Sequence, residues 1–459
     1  MILGALIVLC VWQTGVLWLG DMSGHIFFTD SMTSYVSSYV HPKQVWCNIQ
    51  GNIKSGINNS SNAGIYKLES EKEDLVNELI KELRKSKLII EQSPKETYRS
   101  LLNGSQGIIY EFATELTIDE IIGQDLDTRI NKYKPVKIKE IFVDLSLVDA
   151  YKTYVYLIDK EAKVRQKITL NYQLNSAIEM VNLYADKENV SDHLVYQASI
   201  NSISDSNFMV GNAFYPRMGS DMVIEGKNIQ LRPIIEDLES KELENYVNYL
   251  FKTPSNKTQH LTETGIAFSD NLNISVKYNN IGTLEFQKTL LNDEGKLSDV
   301  ERMNQINTFI EQNGAIPEFL KKGLYLEGIS ENTKTGETIY QFGYRYEDGH
   351  IVVLGAKAKA QLGMNAFLEL GIKNSEVTSG KWVMLQPYEV GIPKRITMSS
   401  SEAINAIYEN SGLMTLDEFK LDSLECTYRI DNIQQASKFG WVGFYYGEPI
   451  DTIEKIDNE

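Results

Sequence analysis

The chain has 459 residues, 42% of them hydrophobic and 23% charged, with a formal net charge of −17 at pH 7. That length is enough for two or three domains, and a balance so acidic argues against nucleic acid or anionic lipid headgroups as partners of the body. Three cysteines, Cys10, Cys47 and Cys426, are too few for a disulfide framework. Cys47 and Cys426 are read either as a pair in an oxidising compartment or as two free, buried thiols.

Residues 1–20 are apolar and carry no charge before Asp21. At about 1.5 Å per residue a helix of this length spans roughly 30 Å, the hydrocarbon thickness of a bilayer. A cleaved signal peptide needs a basic start and a small-residue cleavage site; this stretch has neither, and it ends in Leu17-Trp18-Leu19. A lipoprotein reading through Cys10 is weak because Leu9 precedes it. The stretch is therefore expected to be a transmembrane anchor. Trp18 fits the headgroup belt, while Gln13 and Thr14 lie near mid-bilayer and can hydrogen-bond either to their own backbone or to a partner's membrane helix. No Lys or Arg occurs before Lys43, so the positive-inside rule has nothing to count.

Residues 21–63 are rich in Ser, Asn and Gly and read as an approach segment ending in a loop. Ser70 and Glu73 then form a capping box, and Leu75, Val76, Leu79, Ile80 and Leu83 give one apolar helical face. Acids at its start and bases at its end follow the helix dipole. Strands are expected over residues 107–114, 137–144, 153–158 and 165–172. A helix over residues 241–251 stops at Thr253-Pro254. Three strands follow in quick order, at 264–268, 274–278 and 283–290, and their short links require an antiparallel meander.

A related pattern follows. Ser298 and Glu301 cap a helix carrying Val300, Met303, Ile306 and Ile310, and Gly314 marks its end. After a strand at 324–330, Tyr340, Phe342, Tyr344 and Tyr346 share one side of the next strand, and Asp348-Gly349 turns the chain into residues 351–354. A last helix, capped by Ser399 and Glu402, leads to a strand with Leu424, Cys426, Tyr428 and Ile430, then to an aromatic strand with Trp441 and Phe444. The aromatic stripes are read as core. The acidic tail from Asp451 is expected to fray.

No catalytic constellation stands out. The chain has no G-x-S-x-G, no S-x-x-K, no Walker motif and no G-x-G-x-x-G. Its five histidines are isolated, so no metal site is expected. Paired carboxylates such as Glu111/Glu115 occur by chance in so acidic a chain. No cofactor is expected, and the prior moves from catalysis towards a binding or regulatory body.

The anchor running through Trp18 into Ser23-Gly-His-Ile-Phe-Phe28 resembles the YycH family. So do Tyr246-Val-Asn-Tyr-Leu-Phe251 followed by Thr264-Gly-Ile-Ala-Phe-Ser-Asp270, and residues 306–314 before Leu324-Tyr-Leu326. The similarity covers nearly the whole layout through short, structural motifs. It implies a single-pass membrane protein with its N-terminus inside and an extracytoplasmic body in three domains. It further implies a regulatory role towards the WalK/YycG sensor histidine kinase, in company with a YycI-like protein whose fold the last two domains share. No catalytic residues come with the family.

The resulting expectation is an α+β protein: an N-terminal transmembrane helix over residues 1–20, then α+β domains with antiparallel sheets over 21–175, 176–292 and 293–459, the last two related in plan. Its expected role is that of a non-enzymatic regulator of a two-component sensor kinase controlling cell-wall metabolism. Gln13, Thr14 and Trp18 are the residues expected to meet a partner's membrane helix, and the lipid bilayer is met through the same segment. Two other classes are kept beside it: an anchored cell-envelope enzyme acting on peptidoglycan or glycan, and an extracellular ligand-binding module.

Overall fold

The structure is a computed structural model that describes residues 40–50, 64–68, 72–85, 88–126, 133–146, 152–186, 195–199, 209, 213–216, 223–270, 273–290, 295, 297–411, 419–445 and 448–451. The expected anchor, with Gln13, Thr14 and Trp18, lies outside the described residues, as do Ser70 of the first capping box and residues 452–459 of the tail. Among the described residues no helix is long and apolar enough to cross a membrane.

The first sheet is built from β1 (Gln44–Ile49), β2 (Gly64–Lys67), β3 (Ile89–Gln92), β4 (Gly107–Leu116), β5 (Ile138–Asp144), β6 (Thr153–Ile158), β7 (Val164–Leu170), β8 (Val195–Ala198) and β9 (Phe214–Pro216). Its nine strands lie in the order β3-β7-β6-β5-β4-β1-β2-β8-β9, and each adjacent pair is antiparallel. Alternate side chains feed two cores. Val45, Cys47, Ile108, Tyr110, Ile141 and Val155 face one, which also takes in the apolar stripes of α1 (Lys72–Lys85), α3 (Ile118–Ile122) and α4 (Asn175–Ala185). Trp46, Ile109, Phe142 and Tyr156 face the other, closed by Tyr98, Leu101 and Leu102 of α2 (Tyr98–Gly104). Burial on both faces explains why the central strand β1 is buried along its whole length.

Strand β1 escapes a reading by period because it mixes Gln44 and Asn48 with apolar residues. Asn48 finds its partners in distant chain: its side-chain amide donates to the carbonyls of Leu102 at 3.0 Å and Ser105 at 2.7 Å.

The second sheet comprises β12 (Thr258–Thr262), β13 (Gly265–Ser269), β14 (Ile274–Asn279), β15 (Thr283–Lys288), β16 (Leu324–Asn332), β17 (Glu337–Arg345), β18 (Ile351–Leu354), β19 (Leu368–Lys373), β20 (Glu376–Val383), β23 (Ser423–Ile430), β24 (Lys438–Tyr445) and β25 (Glu448–Asp451). They run in the order β12-β13-β14-β15-β20-β19-β17-β18-β23-β24-β25, with β16 on the side of β17. The expected meander is present as β13–β14–β15, and β15 continues through antiparallel pairing with β20. Gly265 allows the tight return into β13: it has φ +158°, and a Cβ there would lie 1.9 Å from the Tyr278 carbonyl oxygen. The Asp348-Gly349 turn forms as expected, and β18 then runs parallel to β23. Two small ribbons pair β10 (Ile224–Gly226) with β22 (Lys394–Ile396) and β11 (Ile229–Pro233) with β21 (Leu385–Glu389).

Five more helices are α5 (Lys241–Asn248), α6 (Asp299–Gln312), α7 (Glu318–Gly323), α8 (Ala356–Leu362) and α9 (Ser400–Ser411). The two expected capping boxes that lie within the described residues both close. Ser298 and Glu301 exchange bonds at the start of α6, and Ser399 and Glu402 do so at α9. The aromatic stripe is core as read: Tyr340, Phe342, Tyr344 and Tyr346 are all buried. Cys47 and Cys426 are both free thiols.

Trp382 on β20 ties helix to sheet. It is fully buried, and its indole N–H donates at 2.9 Å to the Ala315 carbonyl, just after α6. Trp382→Ala is expected to cost about 3–5 kcal/mol through the cavity it leaves, read as a lower urea midpoint followed by circular dichroism.

Candidate functional site

The two sheets meet where the described chain begins. Arg345 on β17 donates to the Pro42 carbonyl at 2.7 Å. The next residue, Lys43, reaches Glu425 on β23 at 2.5 Å and donates to Ser423 at 3.3 Å, with both side chains of the ion pair only 11% exposed. The Lys43 ammonium also sits 4.7 Å over the Phe444 ring of β24. Gln44 donates to the second oxygen of Glu425 at 3.3 Å. Three consecutive residues of the first sheet's central strand and its lead-in thus grip the second sheet.

Burial and charge work against each other in this cluster. Burial disfavours the Lys43 ammonium, but the Glu425, Glu111 and Glu327 carboxylates outweigh it and hold its pKa above the ordinary lysine value. Burial likewise opposes ionisation of Glu425, and Lys43 and Lys67 overcome it, so its pKa lies below the usual glutamate range. Glu111 behaves in the opposite way: burial pushes its pKa up despite Lys43, Lys139 and the 2.8 Å bond from the Trp46 indole. Burial also lowers Lys139 against the pull of Glu111, and the Lys139 ammonium donates to the Ala113 carbonyl. His41 is held neutral, its pKa lowered to about 4 by burial and by Arg345.

Two clefts flank the ion pair. The larger, about 590 Å³, lies between Trp46, Lys67 and Tyr196 of the first sheet and Lys227, His350 and Cys426 beside the second. The Trp46 and Tyr196 rings meet edge to face at 4.8 Å. Gln44 lines the same cleft with its carbonyl oxygen Oε1 buried and lacking a hydrogen-bond partner. The smaller cleft, about 420 Å³, is lined by Lys43, Glu111, Lys139, Tyr325, Glu327 and Phe444 among others.

Hydrogen bonds and burial restrain the titratable groups that line these clefts. His350 Nδ1 lies 3.1 Å from the Cys426 carbonyl oxygen, which can only accept, so that nitrogen carries the proton. Burial raises the Cys426 thiol well above its ordinary pKa, which suppresses the nucleophilic thiolate. Tyr428 is engaged on both sides, accepting from the Lys227 backbone N–H at 2.9 Å and donating to Asp348. Among the described residues no three His, Cys, Asp or Glu side chains are grouped to hold a metal ion.

The sequence reading did not find this cluster. It set Glu111 aside with Glu115, whereas Glu111 is only 8% exposed. The available signal was a single acid inside an apolar strand, as in Ile109-Tyr110-Glu111-Phe112 and Leu424-Glu425-Cys426.

Lys43→Met is expected to lower stability by about 3–5 kcal/mol at pH 7, because it strands the buried Glu425 carboxylate. The double change Lys43→Met with Glu425→Leu should recover most of that loss; urea midpoints measure both. The pH dependence divides by residue. Glu425, whose folded pKa is depressed, contributes stability that is present above the ordinary value near 4.5 and lost as pH falls through the folded pKa. Glu111, whose folded pKa is raised, contributes stability that is present below that value and lost as pH rises through the folded pKa. Glu111→Gln is therefore expected to raise the urea midpoint at pH 7, with the gain vanishing on acidification to about pH 4.

No family model matches the chain, and no curated protein matches it in sequence. Comparison with solved structures finds the crystal structure of YycH from Bacillus subtilis, with a TM-score of 0.60 and 12% sequence identity, over 93% of this chain and 99% of that one. The resemblance read from the sequence is thus met in the fold, a mixed α+β body of the YycH kind.

Proposed function

We propose that this chain is a non-enzymatic, membrane-anchored regulator of a two-component sensor histidine kinase of the WalK/YycG type, bearing on cell-wall metabolism. The observation that carries the reading is the fold likeness to YycH over almost the full length of both chains. The uncharged apolar stretch at residues 1–20 supports it. In this reading the N-terminus is inside the cell and the body is extracytoplasmic. Gln13, Thr14 and Trp18 pack against a partner's membrane helices, and the body docks a YycI-like protein and the kinase ectodomain.

A second reading, an extracellular ligand-binding module, draws on the cleft of about 590 Å³ with its aromatic wall and the orphaned Gln44 oxygen.

Crosslinking of the full chain in its native membranes is expected to recover a sensor histidine kinase and a YycI-like protein, and deleting the gene to change phosphorylation of the cognate response regulator. Recovery of neither partner overturns the proposal. Gln13→Leu is expected to weaken association with the partner's membrane helix by about 1 kcal/mol, a several-fold loss in detergent titrations.

A further inference from the structure

Strand edges invite pairing with other chains, and proteins blunt them with charge, proline, bulges or brevity. Among the described residues, the edges of the two large sheets divide sharply on that test. Strand β9 has three residues, all buried, and ends in Pro216. Strand β3 includes Glu91 and is followed by Ser93 at φ +53° and by Pro94. Strand β25 reads Glu448-Pro449-Ile450-Asp451. Strand β16 carries Glu327 and Glu331 and a register shift between Leu326 and Gly328. Strand β12 has none of these devices. It reads Thr258-Gln259-His260-Leu261-Thr262, exposed along its whole length, and among the described residues only β13 pairs with it.

The apolar register gives an independent reason to expect an occupant. Leu326, Phe342, Leu368, Trp382, Leu284, Tyr278 and Ile266 stand opposite one another in turn across seven strands. All seven are buried, between 0% and 2% exposed. The row ends at Leu261, which pairs with Ile266 and is 66% exposed. Cross-strand neighbours of this kind are the unit from which sheets gain stability, and one more strand would set a side chain beside Leu261.

We infer that β12 is a docking edge that accepts an extended segment of a different protein by strand addition. The segment places an apolar side chain opposite Leu261 and lacks Asp and Glu. Charge selects against a second copy, because two bodies of net charge −17 repel. It also favours a neutral or basic segment, because exposed Glu263 flanks the edge at its turn end, whereas Lys257 at the other end is already engaged by Glu244 at 2.8 Å and Asn248 at 2.7 Å. The inference deepens the regulatory reading, on which the identity of the partner rests; the edge and its register stand without it.

The test places a photo-crosslinking amino acid at position 259 of the full chain in its native membranes and sequences the crosslinked peptide. The expected result is an adduct with another protein, through a stretch of at least about five residues with alternating apolar side chains and no acid. Its yield should fall at least tenfold in Leu261→Lys and persist in Leu261→Val, with an unchanged urea midpoint in both showing that the fold is intact. No adduct, an adduct with a second copy of this chain, or a yield indifferent to Leu261→Lys overturns the inference. If the adduct forms as described but crosslinking of the full chain recovers neither a sensor kinase nor a YycI-like protein, the edge stands and the regulatory reading falls. If the kinase copurifies with the full chain while position 259 gives no adduct, or one indifferent to Leu261→Lys, the regulatory reading stands and the edge falls.

Discussion

One buried ion pair joins the two halves of the described fold. Lys43, just ahead of β1 of the first sheet, and Glu425 on β23 of the second are almost withdrawn from water and hold each other's charge in place. Removing two such charges from water is expensive, and their attraction offsets that cost only where geometry and further hydrogen bonds are good. Ser423, Gln44 and the Phe444 ring supply that setting here. Apolar residues of similar size would be about as favourable at such a place, whereas removing one partner alone leaves a buried charge uncompensated.

The same junction divides its carboxylates. Glu425 is kept ionised by its cation, while Glu111, a short way along the first sheet, is pushed towards the neutral acid by burial. The flanking clefts inherit this mixture of charge and aromatic wall. Within them, burial favours the protonated Cys426 thiol, and the Tyr428 hydroxyl is tied to Asp348.

Much of the fold was legible in the sequence where stability is local. The Ser298/Glu301 and Ser399/Glu402 boxes need only residues three apart, and the stripe from Tyr340 to Tyr346 needs only the two-residue period of a strand. Strand β1 was not legible, because Asn48 is satisfied by the Leu102 and Ser105 carbonyls, more than fifty positions away. Strand β20 hides for a related reason: Gly380 interrupts its pattern because Leu370 and Trp382 crowd the place a side chain would take. The candidate site was the least legible part, since its key partners, Gln44 and Glu425, are 381 positions apart. A short-range pattern carries no information about such a pair.

That separation also orders events during synthesis. The polypeptide emerges amino end first, so Lys43 is made long before Glu425, the acid that will neutralise it. Until the last twelfth or so of the chain is translated, Lys43 lacks the acid that holds it in its buried place, and contacts of such long range form slowly. A chain that stops before Ser423 therefore holds Lys43 without its buried carboxylate, although every strand pair of the first sheet is already complete.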